Sequence, residues 1–169
     1  GLAVNADISY ATMPVLWHTA SGLDLLSYDV VIHMGLGVYD NSETLLLECG
    51  AFNERRGNDA HSNTAGHTME FGAPQELHSD AMALRLKHID GERFGPFHVN
   101  VAHARPENAY ICNETNYRAI KAHALAASNG SRLRAAYFLH LPYAKEDDHI
   151  ELAEGVAALI KRLIELELK

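Results

Sequence analysis

Three residues far apart in the chain carry side chains of the types that nucleophilic acyl transfer uses: Cys112, His140 and Glu48. Cys112 stands in Tyr110-Ile111-Cys112-Asn113, where the pattern changes from strand and loop to helix. A thiol at a helix N-terminus feels the positive end of the dipole, which favours thiolate, and the free N–H groups of the first turn can hold an oxyanion. His140 closes an apolar run, Ala135-Ala136-Tyr137-Phe138-Leu139-His140-Leu141, that reads as a strand stopped by Pro142. Sites gather at strand C-termini in open α/β sheets, and a histidine there can deprotonate a neighbouring thiol. Glu48 ends a second apolar strand, where an acid needs a partner. A carboxylate bonded to one imidazole nitrogen fixes the tautomer and stabilises the imidazolium. Each residue also has an ordinary role, the cysteine as a small buried hydrophobe and the histidine as a satisfied core residue. Composition and spacing leave both readings open.

The elements that must position these side chains follow from hydrophobic period and breakers. Tyr28 to Gly35 is a short β-branched run that reads as a strand buried on both faces and stops at Gly35-Leu36-Gly37. Before it, Met13 to Leu26 carries a weak helical pattern with Pro14 near its first turn and Gly22 inside it. Thr44 to Cys49 is a second strand. From Asn53 to Pro74 the chain turns polar and periodicity disappears, which reads as a long functional loop or one with a short excursion of its own. Ala81, Leu84, Leu86 and Ile89 predict a helix starting at a Ser79 or Asp80 cap and ended by Gly91. Phe97 to Ala102 alternates as a strand, and Cys112 to Ala127 reads as a helix closed by Asn129-Gly130. Ile150 to Leu168 is the clearest helix, with Leu152, Val156, Leu159, Ile160, Leu163 and Ile164 on its apolar face. Alternating strands and helices predict an α/β fold, a mostly parallel central sheet with helices on both sides.

Length and composition bound the rest. The 169 residues fit one domain, residues 1–169, with 47% hydrophobic and 21% charged residues, a soluble core balance. The net charge of −8 makes a phosphate-backbone binder a poor fit, so no nucleic acid is expected. No apolar run approaches the ~18 residues a membrane span needs. Two cysteines cannot build a disulfide framework and fit a reducing, cytoplasmic compartment or a catalytic thiol. The start, Gly1-Leu2-Ala3-Val4-Asn5, matches neither a signal nor a transit peptide and lacks an initiator Met, as in a trimmed chain. Eleven histidines raise metal binding, but no His-x-x-x-His pair lies on a convincing helix and no cysteine pair has zinc spacing. His61 and His67 fall in the polar loop, and His98 and His103 on opposite faces of one strand, so no metal or cofactor is expected. Gly35-Leu36-Gly37 follows a strand but lacks the third glycine of a dinucleotide loop and any Gly-Lys-Ser/Thr, so it reads as a tight turn.

The same residues resemble a family, the type I pyroglutamyl peptidases (pyrrolidone-carboxylate peptidases), cysteine peptidases that remove an N-terminal pyroglutamyl residue. Asp29 to Gly37 is similar to the family's Asp-x-Val-Ile-His-x-Gly strand and turn. Glu48-Cys49-Gly50-Ala51-Phe52-Asn53 resembles its Glu-x-x-Ala/Gly-x-Asn motif, whose glutamate belongs to the active site. Tyr110-Ile111-Cys112-Asn113 with Tyr117 resembles the nucleophile motif, and Phe138-Leu139-His140-Leu141-Pro142 the His-x-Pro motif of the base. The order Glu, Cys, His is kept, with separations of 64 and 28 residues. The resemblance implies a Cys112-His140-Glu48 triad on a three-layer α/β/α sandwich, with Tyr110, Ile111 and Leu36 lining the substrate pocket. The substrate implied is a peptide with a blocked N-terminus, cleaved through an acyl-thioester.

The chain departs from the pattern in places. Nothing matches the family's first strand and aromatic loop, Gly-Phe-x-Pro-Phe-Gly, which supplies pocket walls. The polar loop keeps Asn58-Asp59 but not the order Arg-x-Pro-Asp-Asn, with Arg55 or Arg56 as a stand-in for the arginine. The alternatives are therefore a related cysteine hydrolase or acyl-transfer enzyme acting on another amide or lactam, and a non-catalytic homologue. An exposed sheet edge would invite self-association, so a homo-oligomer is a further expectation.

Overall fold

The computed structural model describes residues 6–37, 41–78 and 80–167. Its centre is a five-stranded sheet in the order β1 (Val30–Leu36), β7 (Ala135–Leu141), β2 (Thr44–Cys49), β6 (Phe97–His103), β5 (Arg93–Phe94). A second, two-stranded sheet pairs β3 (Ala51–Phe52) with β4 (Glu76–Leu77). Three helices complete the fold: α1 (Asp80–Leu86), α2 (Ile111–Asn129) and α3 (His149–Glu167). The long parallel ladders join β1 to β7 over the full length of both strands and β2 to β6 from Thr44–His98 to Cys49–His103.

Strand alternation divides the core. Leu45, Leu47 and Cys49 of β2, Val99 of β6, and Ala135, Tyr137 and Leu139 of β7 face Leu86 of α1 and Val156, Leu159 and Leu163 of α3. The alternate positions look the other way. Ala136 packs with Ala119 and Ala126 of α2, together with Leu25 and Leu133. Helices therefore cover both faces of the sheet, the expected α/β sandwich. α3 follows its predicted stripe, starting one residue earlier than expected; Leu168, its expected end, lies outside the described residues.

The sheet is mixed and, as expected, mostly parallel in its long ladders; which strands run antiparallel is not readable from the sequence. β7 pairs antiparallel with β2 at Leu46–His140 and Leu47–Leu139, and β5 with β6 in a tight hairpin. The chain between β1 and β2, residues 37–43, is too short for the crossover that parallel neighbours need. β2 therefore returns against β1, and β7 enters between them, parallel to β1.

Two further expectations change. β1 is an edge strand, not one buried on both faces: Met34 and Leu36 are half exposed. Met13 to Leu26 forms no α-helix, only 3-10 turns at Thr19–Gly22 and Leu25–Ser27. Its hydroxyls take the backbone carbonyls a helix would use. Thr19 Oγ1 donates to Leu16 O, Ser21 Oγ to His18 O and Ser27 Oγ to Asp24 O, while His18 adopts φ 67°. The polar stretch 53–74 is folded back on itself. It lies within the β3–β4 hairpin and adds bridges Glu54–Thr68 and Asn58–Thr64. The expected helix cap at Ser79 and the start Gly1–Asn5 lie outside the described residues. No helix among the described residues is long and apolar enough to cross a membrane.

Candidate active site

The alternation that sends Leu45 and Leu47 to the α3 core sends Glu48 to the α2 face, and the same holds for His140 relative to Leu139. Since His140 is registered with Leu46, Glu48 is its diagonal neighbour on the adjoining strand, within reach of a long side chain. His140 Nδ1 lies 3.3 Å from Glu48 Oε1, both side chains buried, so the ring donates to the carboxylate.

Cys112 arrives from above. It is the second residue of α2, whose N-cap, Tyr110, is extended. The first intrahelical bond is donated by Glu114 N to Tyr110 O at 3.2 Å, so the amides of Ile111, Cys112 and Asn113 precede the helical ladder. Beneath the thiol lies Gly35 of β1, registered with His140. A Cβ on Gly35 would stand 3.1 Å from Cys112 Sγ and 3.8 Å from His140 Cδ2. The imidazole hydrogen-bonds both Cys112 and Glu48. Burial alone would push His140 down; its bonds to Cys112 and Glu48, and their charge, outweigh burial and raise it to about 9. The ring is thus an imidazolium at neutral pH, set between an acid and a thiol.

α2 is held in place by side chains just beyond the nucleophile. Asn113 Oδ1 accepts Phe52 N at 2.7 Å, and its Nδ2 donates to Phe52 O at 2.8 Å and Glu54 O at 2.9 Å. Asn116 Nδ2 donates to Gly50 O at 2.9 Å. Glu114, almost wholly buried, is bound by Arg55 Nη2 at 2.9 Å, Arg118 Nη2 at 2.7 Å and His18 N at 3.1 Å. Burial pushes its carboxyl up, but these donors prevail and hold it at about 2. Arg55 is equally buried and also donates to Gly66 O at 3.2 Å, tying the polar loop to the helix start. Of the two arginines considered as stand-ins, Arg55 is therefore spent on Glu114, and Arg56 pairs with Glu54 at 2.7 Å.

The expected pocket residues separate. Tyr110, half exposed, lays its ring against Gly57, where a Cβ would come within 2.5 Å of Cε1. Gly57 also has φ 74°, so both the turn and the ring require glycine there. Ile111, partly buried, accepts Thr115 Oγ1 at 3.0 Å through its carbonyl. Leu36 ends β1 beside Leu141, on the alternate face from Gly35, so the geometry does not join it to the thiol. Asn113 and Glu114 carry no role from sequence, and Gly35, read there as part of a tight turn, lies instead inside β1, whose ladder with β7 continues through Leu36. Asn113 and Gly35 stood within the quoted motifs, and an acid one turn into a helix beside an apolar face was the available signal for Glu114.

The histidines disperse. His98 contacts Thr44 Oγ1 at 3.1 Å, His67 lies 3.7 Å from Glu54, and His103 meets His78 edge-on at 5.7 Å. Cys49 faces the α3 core, and burial, with Glu48 and Asp90 nearby, pushes its thiol up to about 11. The two thiols thus occupy opposite faces of the sheet.

No family model matches the chain, and no curated protein does. Solved structures do. A mutant pyrrolidone carboxyl peptidase from the hyperthermophile Pyrococcus furiosus superposes with a TM-score of 0.66 at 18% identity, over 92% of this chain and 79% of that one. A second mutant gives 0.66 at 20% identity over the same shares. The structures of that enzyme with its Cys-free mutant give 0.63 at 21%, over 91% and 80%. The fold of this chain is therefore the pyrrolidone carboxyl peptidase fold that the four motifs implied.

Proposed function

We propose that the chain is a cysteine peptidase that hydrolyses an N-terminal pyroglutamyl amide bond through an acyl-thioester. The observation that supports this most is the His140 ring placed between Glu48 and Cys112 on one face of the sheet, at the open end of α2. The Cys112 thiolate attacks the lactam-bearing carbonyl; a C–S bond forms, and the oxyanion takes its hydrogen bonds from first-turn amides of α2. Collapse breaks the C–N bond as the His140 imidazolium gives its proton to the leaving amine. The neutral ring then takes a proton from water, whose oxygen attacks the thioester. The C–S bond breaks, releasing the free acid and restoring the thiolate and imidazolium. Glu48 holds Nδ1–H throughout and stabilises the charged ring. Tyr110 and Ile111, which directly precede the thiol in the chain, are the proposed apolar walls for an uncharged lactam. The substrate is a peptide with a blocked N-terminus, and two free thiols suit a reducing, cytoplasmic setting.

The test is cleavage of a pyroglutamyl-coumarin amide. Turnover abolished in Cys112→Ser, with selective alkylation of Cys112 over Cys49 by iodoacetamide near neutral pH, supports the proposal. Equal, slow labelling of both thiols and no turnover overturns it. Turnover of another amide alone would redirect the substrate assignment.

A further inference from the structure

Gly35 has no conformational reason to be glycine. Its φ lies outside the positive range occupied by six other glycines, and it sits inside β1, in register with His140, where glycine weakens a strand by roughly 0.5–1 kcal/mol relative to alanine. What distinguishes it is the space above it. A Cβ there would meet Cys112 Sγ at 3.1 Å, Phe138 Cζ at 3.4 Å and His140 Cδ2 at 3.8 Å. Phe138 cannot retreat, since it is 2% exposed and its ring stands edge-on to His140 at 4.9 Å. The sulfur, on a rotatable bond in a partly open position, is the atom that would yield.

We infer that Gly35 is a positioning residue for the nucleophile: the missing methyl sets where Cys112 Sγ rests against His140. The inference rests on the Cys112–His140 pairing proposed above. A methyl at this position displaces the sulfur by a few tenths of an ångström and loosens its pairing with the His140 ring, leaving sheet and helix in place.

The experiment compares wild type and Gly35→Ala by the pH dependence of Cys112 alkylation with iodoacetamide, read by peptide mass spectrometry, beside thermal melting. The expected result is a fall of at least about tenfold in the neutral-pH rate, since sub-ångström to ångström misplacement of reacting groups costs on that order. The advantage of Cys112 over Cys49 in alkylation shrinks, and with pyroglutamyl-coumarin kcat falls while KM holds. Wild-type Cys112 reacting fast and Gly35→Ala reacting equally fast overturns the inference and leaves the proposed function standing. Wild-type Cys112 reacting no faster than an ordinary thiol overturns the parent reading instead. Should Gly35→Ala lower the melting temperature, the same change in a Cys112→Ala background decides the cause. Relief there identifies the sulfur as the obstacle; an equal loss in both backgrounds refutes it.

Discussion

Replacing Glu48 with glutamine removes a charge while leaving an oxygen that can still accept from His140 Nδ1. Burial lowers the His140 ring, but its bonds to Cys112 and Glu48, and their charge, outweigh burial and raise it to about 9 from an ordinary 6.5. The carboxylate lies 3.3 Å from the ring nitrogen, in a buried setting. Opposite charges about 4 Å apart interact by about 4 kcal/mol at an effective dielectric of about 20, and such neighbours shift a pKa by about 1–3 units. Cys112 supplies part of the upward shift, and burial opposes it. Removing one such charged neighbour is therefore expected to lower the midpoint by about 1 pH unit or more, roughly 1.4 kcal/mol at least. NMR titration of the His140 ring should show its midpoint falling by that amount in Glu48→Gln. The alkaline limb of the activity profile, where imidazolium is lost, should move down with it. A raised folded-state value also means that His140 contributes stability in full below 6.5, lost as pH rises through about 9. Glu48→Gln should flatten that alkaline loss in urea unfolding. A midpoint unchanged within about 0.3 units in a folded variant would refute the electrostatic coupling of Glu48 to the ring.

Two other perturbations test the supports of the site. Glu114→Gln leaves the buried Arg55 guanidinium without its ion partner and should cost about 3 kcal/mol in urea unfolding at pH 7. Because Glu114 is held at about 2, its contribution is present above its ordinary 4.5 and lost as pH falls through 2; the variant should lack that acid limb. His33, buried in β1, is pushed down to about 4 by burial. The neutral ring therefore favours folding above 6.5, and about 3 kcal/mol is lost as pH falls to 4. His33→Leu should remove this slope between pH 6.5 and 4; a slope equal to wild type would refute it.

What was legible in the sequence was what is local. The stripe of α3 and the apolar runs of β2 and β7 carry their period in consecutive residues, and they form as expected. Glu48, Cys112 and His140 were visible because an acid or an imidazole closing an apolar strand, and a thiol opening a helix, are out of place locally. Strand order was not legible. That β7 lies between β1 and β2 depends on a pairing between residues a hundred apart, and only the short link 37–43 hinted at the reversal. The failure at Met13–Leu26 has a different source, hydroxyl groups bonding carbonyls that the period alone assigned to a helix. Arg55 was hidden because a polar stretch without period gives no sign that one of its cations is buried against Glu114.

The diagonal placement of His140 and Glu48 across an antiparallel junction constrains how this chain can vary. Removing or inserting a single residue within β7 ahead of His140 would exchange the two sides of the strand, sending the imidazole into the oily layer beneath α3 and a leucine into the place of the base. Inserting two residues would keep the side but shift the ring along β2 by nearly 7 Å, out of reach of the carboxylate, while removing two would set it opposite Glu48 but take it from its register with Gly35 beneath the thiol. Length variation among relatives that retain the chemistry is accordingly expected in the connections, with these two strands copied residue for residue.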